Sequence, residues 1–382
     1  MSVWDEVVGQ EHQVGPLHAA IDDPGSMTHA WLITGPPGSG RSYAARAFAA
    51  ALQCERGGCG ECRACTTALS GSHADVTLVA TEKVTISIDE VRDLIGLAAT
   101  SPSQGRWRVI VVEDADRMTE RTSNVLLKSI EEPPPRTVWV LCAPSPQDVA
   151  VTIRSRCRIV GLRTPDPADV ARLLAERDGV EPGLALECAL AAQSHIGIAR
   201  RLARNPEARA RRDQVLALAT DIRGVGDAIF AAADLVEVAD ADAKAATEER
   251  DAEEKAQLMT TLGVEDGGRI PPALRAQLRQ LEEDQKRRAT RHKRDVLDRA
   301  ITDLMSLYRD VAVAQTGATV QLVNLAHEGH VRDLAARTTL ADTMRCLDAL
   351  GTARERLAGN VAPLLALEAM ALDLRPRTPS RR

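Results

Sequence analysis

The stretch Gly35-Pro36-Pro37-Gly38-Ser39-Gly40-Arg41-Ser42 has the residues and spacing to hold a phosphate. In the pattern G-x-x-x-x-G-K-[ST], backbone N–H groups and a helix N-terminus surround the anion. Glycines at 35, 38 and 40 let the backbone turn tightly and approach the phosphate without a Cβ in the way. Position 41 departs from the pattern, with arginine where lysine is expected. An ammonium is a compact charge that slips between phosphates, whereas a guanidinium is a wide planar fork. The expectation is a phosphate-cradling fold with an altered catalytic cation. A glycine-rich turn that never meets a nucleotide is the plainer reading of the same residues.

Three further constellations carry chemistry. Glu113-Asp114 ends an apolar run, where a P-loop ATPase carries one acid that helps hold magnesium and a second that orients water. The usual order is Asp then Glu, and here it is swapped. One methylene moves the carboxylate oxygens by more than about 1 Å, against a positioning tolerance of roughly 0.5 Å. Cys54-x4-Cys59-x2-Cys62-x2-Cys65 offers four thiolates, with Gly57, Gly58 and Gly60 supplying the turns between them. Such a set reads as a closed, structural tetrahedral zinc site; a redox disulfide switch is the other use of Cys-x-x-Cys pairs. Finally, Ser155-Arg156-Cys157 places an arginine between small residues, which taken alone is a surface charge.

These residues need elements to place them. Trp31 to Thr34 reads as a buried strand feeding the glycine-rich turn, with a helix over 43–52 behind it. Further strands are expected at 76–79, 108–112, 137–142 and 159–162. Ser87 to Glu90 is a capping box opening a helix through Leu97, and a helix from Thr119 to about Glu131 is stopped by Pro133-Pro134-Pro135. Alternating strands and helices give a doubly wound α/β sheet with ligands at its carboxyl edge. After Arg163 the strands stop: Asp166-Pro167 opens the first of two or three short helices, and the chain is helical to Leu374. Two long segments, 226–262 and 273–314, flank a glycine- and proline-rich break at 263–272. In the second, Leu297, Ile301, Leu304, Tyr308 and Val311 form an apolar stripe for a partner helix. Glu283–Arg287 and Asp284–Arg288 sit at i,i+4, each pair worth about 0.2–0.5 kcal/mol. The mixed charges of 237–300 read as a solvated hairpin, with a dedicated partner site as the alternative.

With 382 residues there is room for two or three domains, and with aromatics at 2% the cores must be built from Leu, Val, Ile and Ala. A net charge of −6 argues against a mainly electrostatic nucleic-acid binder. There is no apolar run long enough to span a membrane, and Met1 to Asp23 has no secretion-signal pattern, so a cytoplasmic protein is expected.

Taken together, Val7-Val8-Gly9-Gln10, the P-loop at 35–42, the four inserted cysteines, Leu126 to Pro134 (LLKSIEEPP) and Val151 to Cys157 (VTIRSRC) resemble the clamp-loader branch of AAA+ proteins. The delta-prime class of bacterial DNA polymerase III subunits is the nearest likeness. The resemblance covers about residues 1–205; beyond them only the all-helical layout corresponds. It implies an α/β plus all-α architecture: an AAA+ P-loop core at 1–163 with a zinc module at 54–65, a helical lid at 164–205, a helical collar at 206–374 carrying the charged hairpin 226–314, and a disordered tail at 375–382. It also implies that Arg156 acts as an arginine finger in the ATP site of a neighbouring subunit. Gly35, Gly38, Gly40, Arg41, Ser42, Glu113, Asp114 and the lid arginine Arg200 would form a degenerate nucleotide site. The polar residue that relatives carry after the fourth strand falls at Ala143-Pro144-Ser145, where it is missing. The implied role is a subunit that does not hydrolyse ATP, helping load the sliding clamp onto primer–template DNA with tau/gamma and delta subunits and with structural zinc as its cofactor. ATP binding is left open, because the amides of 38–42 can hold phosphates without lysine. A tau/gamma-like ATPase and a zinc-containing scaffold of another nucleic-acid machine are the alternatives.

Overall fold

The computed structural model describes residues 2–81, 85–261, 275–359 and 361–375. The glycine- and proline-rich break expected at 263–272 and the tail from 376 lie outside the described residues. The chain divides into two units, one ending at Arg204 and one beginning at Asn205.

In the first unit, α1 (Gly15–Asp22) leads to β1 (Ala30–Thr34), α2 (Arg41–Gln53), α3 (Arg63–Ser70), β2 (Val76–Val79) and α4 (Ile88–Ala98). Then come β3 (Arg108–Val112), α5 (Glu120–Glu131), β4 (Thr137–Ala143), α6 (Val151–Arg154) and β5 (Arg158–Gly161). The short helices α7 (Pro167–Asp178), α8 (Pro182–Ala191) and α9 (Ile196–Arg204) close the unit. The strands form one parallel sheet in the order β2-β3-β4-β1-β5. Every residue of β1, β3 and β4 is buried, as parallel strands covered on both faces require. Trp31 meets Phe48 of α2 edge-on on one face, and Ile110 and Trp139 join the core beneath α4 and α5 on the other. Thr34 pairs with Ala143, and Val112 with Leu141. The turn after β1 and the acids after β3 therefore leave the sheet at its carboxyl edge.

Local signals set the helix starts. Ser87 and Glu90 form the expected capping box, Thr119 caps α5, and Asp166 caps α7 ahead of Pro167. The helix behind the P-loop starts at Arg41 rather than Tyr43, because Gly40 already serves as its N-cap.

The second unit is helical: α10 (Pro206–Asp221), α11 (Val225–Thr261), α12 (Arg275–Thr316), α13 (Glu328–Arg337), α14 (Leu340–Ala358) and α15 (Pro363–Leu374). Leu297, Ile301, Leu304, Tyr308 and Val311 are all buried in its core. The charged stretches of α11 and α12 are cross-linked: Arg288 pairs with Asp251 at 3.1 Å and Glu254 at 2.5 Å, and Lys293 with Asp240 at 2.7 Å. Glu283 and Arg287 stand 3.8 Å apart, whereas Arg288 reaches across to α11. The Asp284 side chain lies outside the described residues.

Asp75, just before β2, is fully buried. It accepts the N–H groups of Ser103, Gln104 and Gly105 at 2.6–2.7 Å and meets Arg108 Nη2 at 3.1 Å. Burial pushes its carboxyl up, but the hydrogen bonds from Ser103, Gly105 and Gln104 outweigh this and hold it at about 2. A carboxyl held below its ordinary 3.8 contributes stability that is full above that value and is lost as pH falls through about 2. Asp75→Ala would leave Arg108 buried without its carboxylate and should cost about 3–5 kcal/mol. A urea titration at neutral pH should show that loss, and the gap between the two proteins should narrow as the buffer is taken below pH 3.8.

Candidate nucleotide site and metal centre

Gly38 (φ +88°) and Gly40 (φ +89°) occupy the left-handed region that glycine tolerates. A Cβ on Gly38 would lie 2.8 Å from the Cα of His195. The turn before α9 therefore seats directly on the P-loop. Gln10, fully buried, ties the loop down from below. Its Nε2 donates to Ser39 O at 3.1 Å and to Arg163 O at 2.6 Å, and its Oε1 accepts Arg163 N at 3.1 Å. Ser39 Oγ is buried and has no hydrogen-bond partner among the described residues, so the loop keeps one unspent polar atom.

The charged residues expected to serve a nucleotide are engaged with the protein itself. Arg41 at the start of α2 folds back, and its Nη1 donates to Gly35 O. Glu113 Oε1 receives Arg46 Nε at 2.9 Å and Arg46 Nη2 at 2.8 Å, with the carboxylate side chain only 13% exposed. Asp114 accepts Thr81 N at 3.0 Å and faces Arg117 Nη2 at 3.4 Å. Arg200 donates to Asp178 at 2.8 Å, pairs with Glu6 at 2.7 Å and reaches the Tyr43 hydroxyl at 3.5 Å. Burial would lower its pKa, but Glu6 and Asp178 raise it above its ordinary value. Pro144 contributes only its carbonyl, which accepts Gly35 N at 3.2 Å, and Ser145 caps the following turn. The glycine cradle fits a phosphate. The acids do not fit a divalent cation, because an arginine already stands on Glu113.

Arg156 lies elsewhere. It directly precedes β5, and β5 runs parallel to β1, so Arg156 stands at the amino edge of the sheet, opposite the P-loop. Its Nη1 donates to Thr152 O at 2.8 Å and Ser155 Oγ at 3.3 Å, and its Nη2 pairs with Glu131. The side chain is 38% exposed.

The four cysteines converge. Cys54 caps the C-terminus of α2, Cys62 caps the N-terminus of α3, Cys65 lies in its first turn, and Cys59 is in the loop between. Their sulfurs all lie within 4.8 Å of one another; Cys54–Cys59 and Cys54–Cys62 are each 3.7 Å. A tetrahedron with metal–sulfur arms of about 2.3 Å has edges of about 3.8 Å, so the cluster could hold a metal ion. Burial pushes the Cys54 thiol up, while N–H groups of Cys59, Gly58 and Arg56 bring it down to about 6. Arg56 Nη2 donates to Cys59 Sγ at 3.1 Å.

Arg46, His195, Glu6, Asp178, Tyr43 and Glu131 were not singled out for a role at the sequence level. Their partners lie far along the chain, as with Arg46 and Glu113, and no local pattern announces such pairs. For Glu131 a signal was present: it sits inside the LLKSIEEPP stretch.

Residues 9–166 match the family model described as DNA polymerase III, delta subunit. The chain is 36% identical over 183 residues to the DNA polymerase III subunit gamma/tau of Mycobacterium tuberculosis, covering 46% of this chain and 32% of the relative. It is 38% identical over 169 residues to the DNA polymerase III subunit delta' of Pseudomonas aeruginosa, covering 43% and 52%. The chain thus spans only about a third to a half of these curated relatives. A solved gamma subunit-related protein of Thermotoga maritima superposes with a TM-score of 0.42 at 16% identity, over 95% of this chain and 98% of that one.

Removing the Arg200 guanidinium takes the partner from Asp178 Oδ2 on a side chain only 7% exposed, while Arg204 still holds Oδ1 at 2.7 Å. Arg200→Ala should therefore lower stability by about 1–3 kcal/mol, the cost of leaving a buried acceptor unsatisfied. Chemical denaturation of the unliganded protein would read this, with no nucleotide present.

Proposed function

We propose, from the match of residues 9–166 to the model described as DNA polymerase III, delta subunit and the 36–38% identity to gamma/tau and delta' subunits, that the chain is a delta-prime-like subunit of a bacterial DNA polymerase III clamp loader. It would assemble with tau/gamma and delta subunits and act on the sliding clamp and primer–template DNA through the complex. It would not hydrolyse ATP, and would supply Arg156 to the ATP site of a neighbouring subunit.

The observation that carries this reading is the separation of the two ends of the sheet. At the carboxyl edge, Arg41, Arg46 and Arg200 are bonded to the protein's own carbonyl and carboxylates. At the amino edge, Arg156 is exposed and far from its own P-loop, across strands of four or five residues, or roughly 15 Å at about 3.3 Å per residue. A guanidinium there can serve only a site outside this chain. Its fork is permanently charged and suits phosphate oxygens as charge develops in transfer. The 36% identity to a gamma/tau subunit supports the second reading, an active motor.

Hydrolysis by the purified chain separates the two. Phosphate release should stay at the no-protein baseline with or without clamp and primed DNA; clear turnover abolished by Arg41→Ala would establish the motor instead. In the reconstituted complex, Arg156→Ala should assemble yet lower clamp- and DNA-stimulated hydrolysis. A trans arginine is worth about 10³–10⁵ in rate in GTPases, and a loader with several sites should lose less than that. Arg156→Lys should rescue poorly, because it keeps the charge and loses the fork. An alanine variant that leaves the assembled complex at full rate overturns the trans role.

The metal of the cysteine cluster is, in this reading, a single structural zinc. Four thiolates leave it no open position, and zinc binding by small modules supplies roughly 10–16 kcal/mol. Elemental analysis should find one zinc per chain, absent from Cys54→Ser. Chelation should loosen residues 54–71 in hydrogen exchange while leaving the protection of β1 intact. Disulfides mapped among these four cysteines, with no metal, would refute it.

A further inference from the structure

Glu131 is the last residue of α5, directly before the bend into Pro133, and it pairs with Arg156 Nη2. Both residues stand at the amino edge of the sheet, Glu131 shortly before β4 and Arg156 shortly before β5. Two residues 25 positions apart are thus joined by one carboxylate. The bonds on the Arg156 guanidinium are distributed unevenly. Thr152 O and Ser155 Oγ take Nη1, Glu131 pairs with Nη2, and among the described residues no hydrogen bond falls on Nε. A guanidinium carries five N–H donors in a fixed planar fork. Both Nη1 hydrogens are spoken for and Nη2 is held in the ion pair with Glu131, while the side chain remains 38% exposed.

We infer that Glu131 is the positioning residue of this arginine, holding the plane of the guanidinium so that its Nε edge meets the phosphate of the adjacent subunit. The inference rests on the trans role proposed above and adds to it the group that aims the fork. Orientation matters here because a bidentate contact requires both oxygens in the guanidinium plane, and misplacement of about 1 Å in a reacting assembly is costly. The pair is too exposed to be a fold-holding interaction, at 38% and 42% for the two side chains. Its use is therefore geometric.

The test uses the full complex with the delta and tau/gamma subunits, clamp and primed DNA. Three versions of this chain are compared with the unaltered one: Glu131→Gln, Arg156→Ala, and the double variant. Glu131→Gln keeps the size and an acceptor oxygen and removes the charge. It should lower kcat for ATP hydrolysis by about 1.4- to 5-fold, the range an exposed ion pair supplies. KM for ATP and the urea midpoint of the isolated chain should not change. The double variant should be no slower than Arg156→Ala, since the glutamate acts only through the arginine. If Arg156→Ala slows the complex but Glu131→Gln does not, or if Glu131→Gln slows it further on top of Arg156→Ala, the positioning role is wrong and the trans arginine stands. If Arg156→Ala itself has no effect, both fall together.

Discussion

The polarity of one parallel sheet governs the arrangement of this molecule's chemistry. With five strands pointing the same way in the order β2-β3-β4-β1-β5, whatever follows a strand emerges at one edge and whatever precedes a strand at the other. The P-loop follows β1 and Glu113 follows β3, so they meet. Arg156 precedes β5 and Glu131 precedes β4, so they meet too, at the opposite edge. No side-chain rearrangement within the chain can bring Arg156 to Gly38. The sheet can be this strict because β1, β3 and β4 are buried throughout; a slip of one residue would expose apolar groups on both faces.

At the carboxyl edge the electrostatics close on themselves. A glutamate 13% exposed beside a P-loop needs a positive partner, and in a working site that partner is a metal ion with its nucleotide. Here Arg46 supplies the charge from within α2, and a guanidinium cannot leave as a magnesium ion can. Arg200 is likewise held between Glu6 and Asp178. Desolvating these arginines is tolerable only because each has its carboxylate in place. Releasing Arg46 would strand Glu113, whereas Glu6 and Asp178 would keep Arg177 and Arg204 if Arg200 let go.

Much of this was legible in the sequence where the cause is local. A continuous β-branched run marks β3 and an apolar run marks β4, and Ser87, Thr119 and Asp166 cap the helices that follow them. The cysteine spacing foretold the convergence of its four sulfurs, since a stretch of twelve residues has little freedom to do otherwise. The partner of a charge was not legible. Arg288 bonds to Asp251 and Glu254 on the facing helix, which a spacing rule that sees only its own helix could not find; the Asp284 side chain expected beside it lies outside the described residues. The Arg46–Glu113 pair escaped for the same reason, as it depends on the side of α2 that faces β3.

The N-terminal segment shows how short local pieces acquire a long-range role. Within its first ten residues, Val3 N donates to Gly58 O at 3.0 Å beside the cysteine cluster. Glu6 binds Arg177 at 2.9 Å and Arg200 at 2.7 Å in the helices of the lid. Gln10 binds Ser39 and Arg163. One short 3-10 turn and the loop after it thereby fasten the cysteine cluster, α7–α9 and the P-loop to one another, although none of these adjoins it in sequence. Each contact is modest, about 1 kcal/mol for a neutral hydrogen bond and more for the buried charges. Their shared backbone makes them act jointly. Moving α7–α9 away from the P-loop means breaking the Glu6 pairs and pulling on a segment anchored at both ends, so the first unit is stiffened where those helices meet the loop.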